Sequence, residues 1–184
     1  MCISDWCQIA TAVGTAILAV VTWWLVNVTK THLSKQNEIT KNNLAASLQL
    51  KFEDKFDAPF MLSERSKLAE QIISDAQHGD IQEPVIEFFE SVGVMVRRGY
   101  LDKELAHCSF GHYCIYWWCA TKNYIFNERK RQNDDSTIFE EFQNLVDIFY
   151  EIEIIKRKLS RAQLEPSTKL IEQFLKDESR ITIG

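Results

Sequence analysis

Charge is missing from one long stretch of this chain. Between Trp6 and Val28 there is no Asp, Glu, Lys or Arg in 23 positions, and no Lys or Arg occurs before Lys30. Glycine and proline are also scarce, with six and three in 184 residues. No glycine falls in a Walker or dinucleotide spacing, which excludes the usual phosphate-cradling loops. The five cysteines never form CxxC, so close-paired zinc frameworks are excluded as well. Cys2 and Cys7 lie at one end, while Cys108, Cys114 and Cys119 fall mainly on a predicted helix at spacings of six and five, unlike a secreted disulfide framework. Those three read as reduced, packed thiols. Excess basic charge is absent too: beyond residue 29 the chain carries all 21 Lys and Arg against 25 of the 26 acidic residues. That balance argues against direct nucleic-acid binding.

The uncharged window is rich in Ile, Leu, Val, Ala and Trp. At roughly 1.5 Å per residue it reaches across a hydrocarbon core of about 30 Å. Trp6 at one end and Trp23-Trp24 near the other suit interfacial aromatic belts. A cleaved secretory signal needs a basic n-region and a small-x-small site, and "MCISD" and "WWLVNVTK" offer neither. The reading is an uncleaved transmembrane anchor over residues 1–29. Lys30, Lys35 and Lys41 follow the span and only Asp5 precedes it. The expected topology is therefore single-pass in an inner membrane, N-terminus outside and the bulk cytoplasmic.

Within the span, Gln8, Thr11, Thr15 and Thr22 fall on one side of a helix, with Ala10 and Gly14 on a neighbouring line. In lipid, small residues permit close helix approach and Gln or Thr can hydrogen-bond across the contact. A self-associating seam, and hence a homo-oligomer, is one reading. A plain anchor whose threonines bond their own backbone is another. A polar-lined oligomeric pore is the third.

Residues 30–50, including "KTHLSKQNEITKNN", read as a polar helical stalk, with Leu44, Leu48 and Phe52 spaced by four as an apolar edge. Residues 51–184 read as a helical domain. Phe60, Leu68, Ile72 and Ala76 mark one stripe; Val85, Phe89, Val92 and Val96 mark the next, closed by Arg97-Arg98 and Gly99. Asp102 suits the cap of a short helix "KELAHC", and Tyr113 to Phe126 suits a central buried helix. Ile138, Phe142, Leu145, Phe149 and Ile152 line another, and Pro166 opens a last one bearing Leu170, Ile171 and Phe174. The fold class expected is all-α: a transmembrane helix continuing into a stalk, then a cytoplasmic helical bundle.

Chemistry is sparse. His107, Cys108, His112, Cys114 and Cys119 form the densest cluster of ligand-type residues. On a helix, His112 and Cys114 point about 200° apart, a poor start for a metal site. Cys108 and His112 stand four apart, but Gly111 intervenes and no orienting acid is evident. No catalytic residue, metal or cofactor is expected. Glu87, Glu90, Glu140 and Glu141 read as solvated faces. The run Lys156, Arg157, Lys158, with Arg161, falls at a helix C-terminus and is a candidate contact for anionic lipid or a partner.

The stretches "KFEDKFDAPFMLSERSKLAEQI" and "VIEFFESVGVMVRRGYLDKELAHCSFGHYCIYWW" resemble a bacterial family known as domain of unknown function 4760. Phe56, Asp57, Phe88, Phe89, Glu90, Gly99, Leu101, Asp102, Phe110 and Trp117 carry the resemblance. It implies a helical fold behind an N-terminal span, bacterial origin and no assigned activity. Three functional readings follow. The first is a non-enzymatic membrane-anchored protein that binds itself or an unknown cytoplasmic protein. The second is an oligomerising membrane-perturbing effector of toxin or phage-defence type. The third is a metal- or thiol-dependent enzyme.

Overall fold

The computed structural model describes the backbone of residues 3–74, 81 and 83–181, and the side chains of residues 18, 21–36, 38–41, 43–74, 81 and 83–181. Among the described residues the secondary structure is all helical: α1 (Ile3–Phe56), α2 (Pro59–Ile73), α3 (Pro84–Arg97), α4 (Lys103–Arg131), α5 (Glu140–Arg157), the single turn α6 (Arg161–Leu164) and α7 (Thr168–Glu178). The chain divides into two compact units, Met1–Leu44 and Ala45–Gly184.

The first unit has all of its described residues in α1. Its described side chains are exposed, apart from a half-buried Val28. Thr22 donates its hydroxyl to the Leu18 carbonyl at 2.7 Å, the self-satisfying arrangement open to a helical threonine. Gln8, Ala10, Thr11, Gly14 and Thr15 lie outside the residues whose side chains are described. Among the described residues no helix is long and apolar enough to cross a membrane.

The second unit is a helical bundle with an aromatic centre. The end of α1 enters it through Gln49, Phe52 and Phe56. The Phe56 ring lies 5.0 Å from Phe88, 5.7 Å from Phe110 and 4.9 Å from Tyr113, joining α1, α3 and α4. Such offset and edge contacts add to the large area that each ring removes from water. Val85, Phe89, Val92 and Val96 are buried along α3 as their spacing predicts, with Ile86 and Phe88 filling the rest of that face. Gly99 closes the turn with φ +67°, and Asp102 caps α4 by accepting from the Glu104 and Leu105 amides.

Several sequence expectations are corrected. Phe60 is exposed, and Met61 takes the core position instead, because α2 starts at Pro59 and turns its first residues outward. Ala76 lies outside the described residues. The short helix "KELAHC" capped by Asp102 does not stop at Cys108 but runs on as the 29-residue α4. Gly111 is there because a Cβ would sit 2.8 Å from the His107 ring. Removing the Cβ makes room for that imidazole at the usual helical cost of about 1 kcal/mol relative to Ala. Leu170 faces outward on α7, whose buried residues are Phe174, Leu175 and Glu178. Pro166 stands just outside α7, since Ser167 is its N-cap.

Glu90 and Glu141 are not on a solvated face. α5 begins after Phe139, a left-handed residue (φ 52°) that provides no side-chain cap. Glu90 of α3 fills that role by accepting from the Phe142 amide at 2.6 Å, while burial pushes its carboxyl above the ordinary range. Glu141 pairs with Arg97 at 2.6 Å. Between them, Gly93 lets the helices touch: a Cβ there would stand 2.3 Å from the Glu141 carbonyl oxygen.

Candidate functional site

A groove of about 600 Å³ opens in the second unit between α4, the end of α5, α6 and the start of α7. Its α4 wall carries His107, Cys108, Gly111, His112, Ile115 and Tyr116, the positions that two adjacent helical rows bring to one side. That size suits a small ligand or a few side chains of a partner.

His107 organises one end. Its Nε2 meets Glu153 Oε1 at 2.9 Å, and its ring stands edge-on to Phe149 at 5.3 Å. Arg157 pairs with the other oxygen of Glu153. Burial holds the His107 pKa below its ordinary value, and the carboxylate of Glu153 only partly opposes this. The neutral imidazole therefore donates from Nε2, which leaves Nδ1 as a buried acceptor with no partner among the described residues. His112 is also held low by burial, with its ring 4.2 Å from Tyr116.

The structure gives an orienting acid to His107 rather than to the His112 of the Cys108–His112 pair. Glu153 lies on another helix, 46 positions away. The thiol is less cooperative. Cys108 is exposed, contrary to the reading of packed cysteines, while Cys114 is buried and Cys119 is half-buried near the Tyr150 hydroxyl. Adjacent helical residues diverge by about 100°, so Cys108 and His107 do not share a direction. Burial pushes the Cys114 thiol well above its ordinary value and the Cys119 thiol above it, which disfavours the reactive thiolate. Among the described residues, no group of three or more His, Cys, Asp or Glu is arranged to hold a metal ion. Glu104 and His107 have Glu-x-x-His spacing, but a di-iron bundle needs two such pairs and Glu104 is exposed.

The basic run stands at the end of α5 and the start of α6, with all four side chains exposed. Arg157 is engaged by Glu153, and Arg161 by Asp147 at 2.7 Å while lying 4.5 Å over the Tyr150 ring. Lys156 lines the groove, and Lys158 is the left-handed C-cap of α5.

A second cluster escapes the sequence altogether. Arg65 of α2 and Glu178 of α7 form a bidentate pair, both contacts at 2.7 Å, with side chains 4% and 7% exposed. They are 113 residues apart, and nothing local to either announces the other.

The family profile described as "Domain of unknown function (DUF4760)" matches residues 9–149. No curated protein matches, and no solved structure matches. The matched span ends inside α5, so Glu153, Lys156, α6 and α7 lie beyond it. The positions on which the resemblance rests are mostly structural. Phe56, Phe88, Phe89, Leu101, Phe110 and Trp117 are buried, Gly99 and Asp102 shape the α3–α4 turn, and Glu90 caps α5.

Proposed function

The chain belongs to the family described as Domain of unknown function (DUF4760), and from that premise we propose that it is a single-span membrane-anchored protein. Its helical domain then acts by protein contact, with itself or a partner, at the cytoplasmic face of an inner membrane. One observation carries the anchor. Leu18, Val21, Trp23, Trp24, Leu25 and Val26 are 46–68% exposed on α1. At about 100° per residue they occupy every side of the helix rather than one stripe. A stripe would call for a partner helix; apolar side chains on all sides call for lipid. The internally bonded Thr22 hydroxyl agrees, since lipid offers it no partner. Lys30, Lys35 and Lys41 on the C-terminal flank favour a cytoplasmic domain.

Contact rather than catalysis is favoured by the groove. The thiol that lines it, Cys108, does not share a direction with His107, and the buried Cys114 and half-buried Cys119 stand outside its lining. The test is fractionation of the full chain. Resistance to alkaline carbonate extraction and release by detergent are expected, with a C-terminal reporter active on the cytoplasmic side. Extraction by carbonate alone would remove the anchor, and a periplasmic reporter signal would invert the topology.

A further inference from the structure

Helix α7 is held to the domain at two points that are one turn apart. Phe174 enters an aromatic slot on α4, with its ring 5.1 Å from Tyr116 and 5.2 Å from Trp117, edge-on to the latter. Four residues later, Glu178 grips Arg65. The guanidinium is itself caged, 4.2 Å over the Phe56 ring and 4.9 Å over Tyr113. Ile171 and Leu175 complete the docked face, and the Ser66 hydroxyl donates to the Ser179 carbonyl at 3.1 Å. The opposite face of α7, with Lys169, Glu172, Gln173 and Lys176, is exposed.

This arrangement is a receptor with a resident helix. A buried guanidinium stripped of water demands a carboxylate, and its planar fork fits two carboxylate oxygens at once. The slot beside it demands an aromatic or other large apolar residue at a fixed offset. Phe56, Arg65, Tyr113 and Trp117 all lie inside the family-matched span, whereas α7 lies outside it. The link from α5 to α7 carries only α6, a single turn with no buried residue.

We propose that the α2–α4 face around Arg65 is a docking groove for an amphipathic helix carrying a large apolar residue followed four positions later by a carboxylate. α7 is then an intramolecular cover that a partner helix of this pattern displaces. Helix-in-groove recognition uses this i, i+3, i+4, i+7 set of anchors, here Ile171, Phe174, Leu175 and Glu178. The inference rests on the protein-contact reading above but not on the anchor, so carbonate fractionation and the following test can fail separately.

The probe is a labelled synthetic peptide with the sequence of residues 166–181, added to full-length protein in detergent. Glu178→Gln in the chain weakens the cover, so peptide affinity should rise at least tenfold over wild type. Replacing the same glutamate by Gln in the peptide should cost at least tenfold, and Arg65→Met in the chain should abolish that discrimination. Amide exchange on the wild-type chain tests the cover without any substitution. α7 amides should exchange at least tenfold faster than those of α3, and faster again with excess peptide. Absence of peptide binding to a folded Glu178→Gln chain overturns the proposal. So does α7 protection equal to that of α3, since α7 would then open only with the whole domain.

Discussion

Residues 18–44 and residues 45–56 belong to one helix, yet they resolve their apolar side chains in opposite ways. In the earlier stretch Leu18 and Trp23 each keep 68% of their surface exposed, and Leu33, Ile39 and Leu44 are also outside. In the later stretch Leu50 is still outside, but Phe56 keeps 3% and is ringed by Phe88, Phe89, Phe110 and Tyr113. Propensity does not separate them, because both are helical. The separation comes from what surrounds each helix: the later stretch finds aromatic partners in its own chain and the earlier one finds none among the described residues. Lipid is the solvent proposed for the uncharged part of the earlier stretch, residues 18–29, while residues 30–44 carry Lys30, Lys35, Glu38 and Lys41 and read as a stalk in water.

The comparison can be broken from either side. The largest effect should come from Leu18→Lys with Val21→Lys. Each charge near the middle of the span costs about 2.5–3.5 kcal/mol of insertion, so the double variant should leave the membrane fraction while the thermal unfolding of the domain stays put. A coupled change in both assays would show that the two stretches are not independent. Next is Trp117→Ala, which removes a fully buried ring and should cost about 3–5 kcal/mol of domain stability by thermal or denaturant unfolding, with no change in fractionation.

The cysteines sharpen the contrast at smaller scale. Cys114→Ser places a hydroxyl in a buried apolar site and should cost about 1–3 kcal/mol. Cys108→Ser should stay within about 0.5 kcal/mol, as exposed substitutions do. In the native protein, a thiol reagent should label Cys108 quickly and Cys114 only on unfolding.

The smallest effects are in pH dependence, and two buried groups should act with opposite signs. The His107 pKa is lowered by burial, so its contribution is complete above the unfolded value of about 6.5 and is lost as pH falls toward the folded value. His107→Gln should flatten that acid-side loss. The Glu90 pKa is raised by burial, so its contribution is complete below the unfolded value of about 4.3 and declines as pH rises through the folded one. Glu90→Gln keeps an acceptor for the Phe142 amide and should leave stability at neutral pH equal or slightly higher. Unfolding of the two variants between pH 4 and pH 8 checks both signs.

What the sequence discloses is whatever is settled within a few residues. The Val85–Val96 stripe, the left-handed Gly99 and the Asp102 cap are local, and each is where its pattern places it. Gly111 counts against a helix by propensity alone, but the reason for it is His107 one turn earlier. Phe60 and Met61 exchange places because a single residue of phase decides which faces the core. The groove and the docking face are illegible for a different reason. Glu153 reaches His107 from another helix, and Glu178 reaches Arg65 across 113 residues. Those pairings exist only once the bundle is assembled.

The start of α5 has a kinetic consequence. Its N-cap residue, Phe139, has no side chain able to hold the first free amides, and the capping carboxylate belongs to Glu90 on α3. Arg97 and the close approach at Gly93 fasten the same first turn. Nucleating a helical turn is unfavourable even with a good cap, and this turn receives its cap only after α3 has arrived. α5 should therefore be a late-forming element: a peptide of residues 138–157 should be largely unstructured in water. Glu90→Ala, which removes the acceptor, or Gly93→Ala should then slow refolding through the α3–α5 encounter instead of merely hastening unfolding.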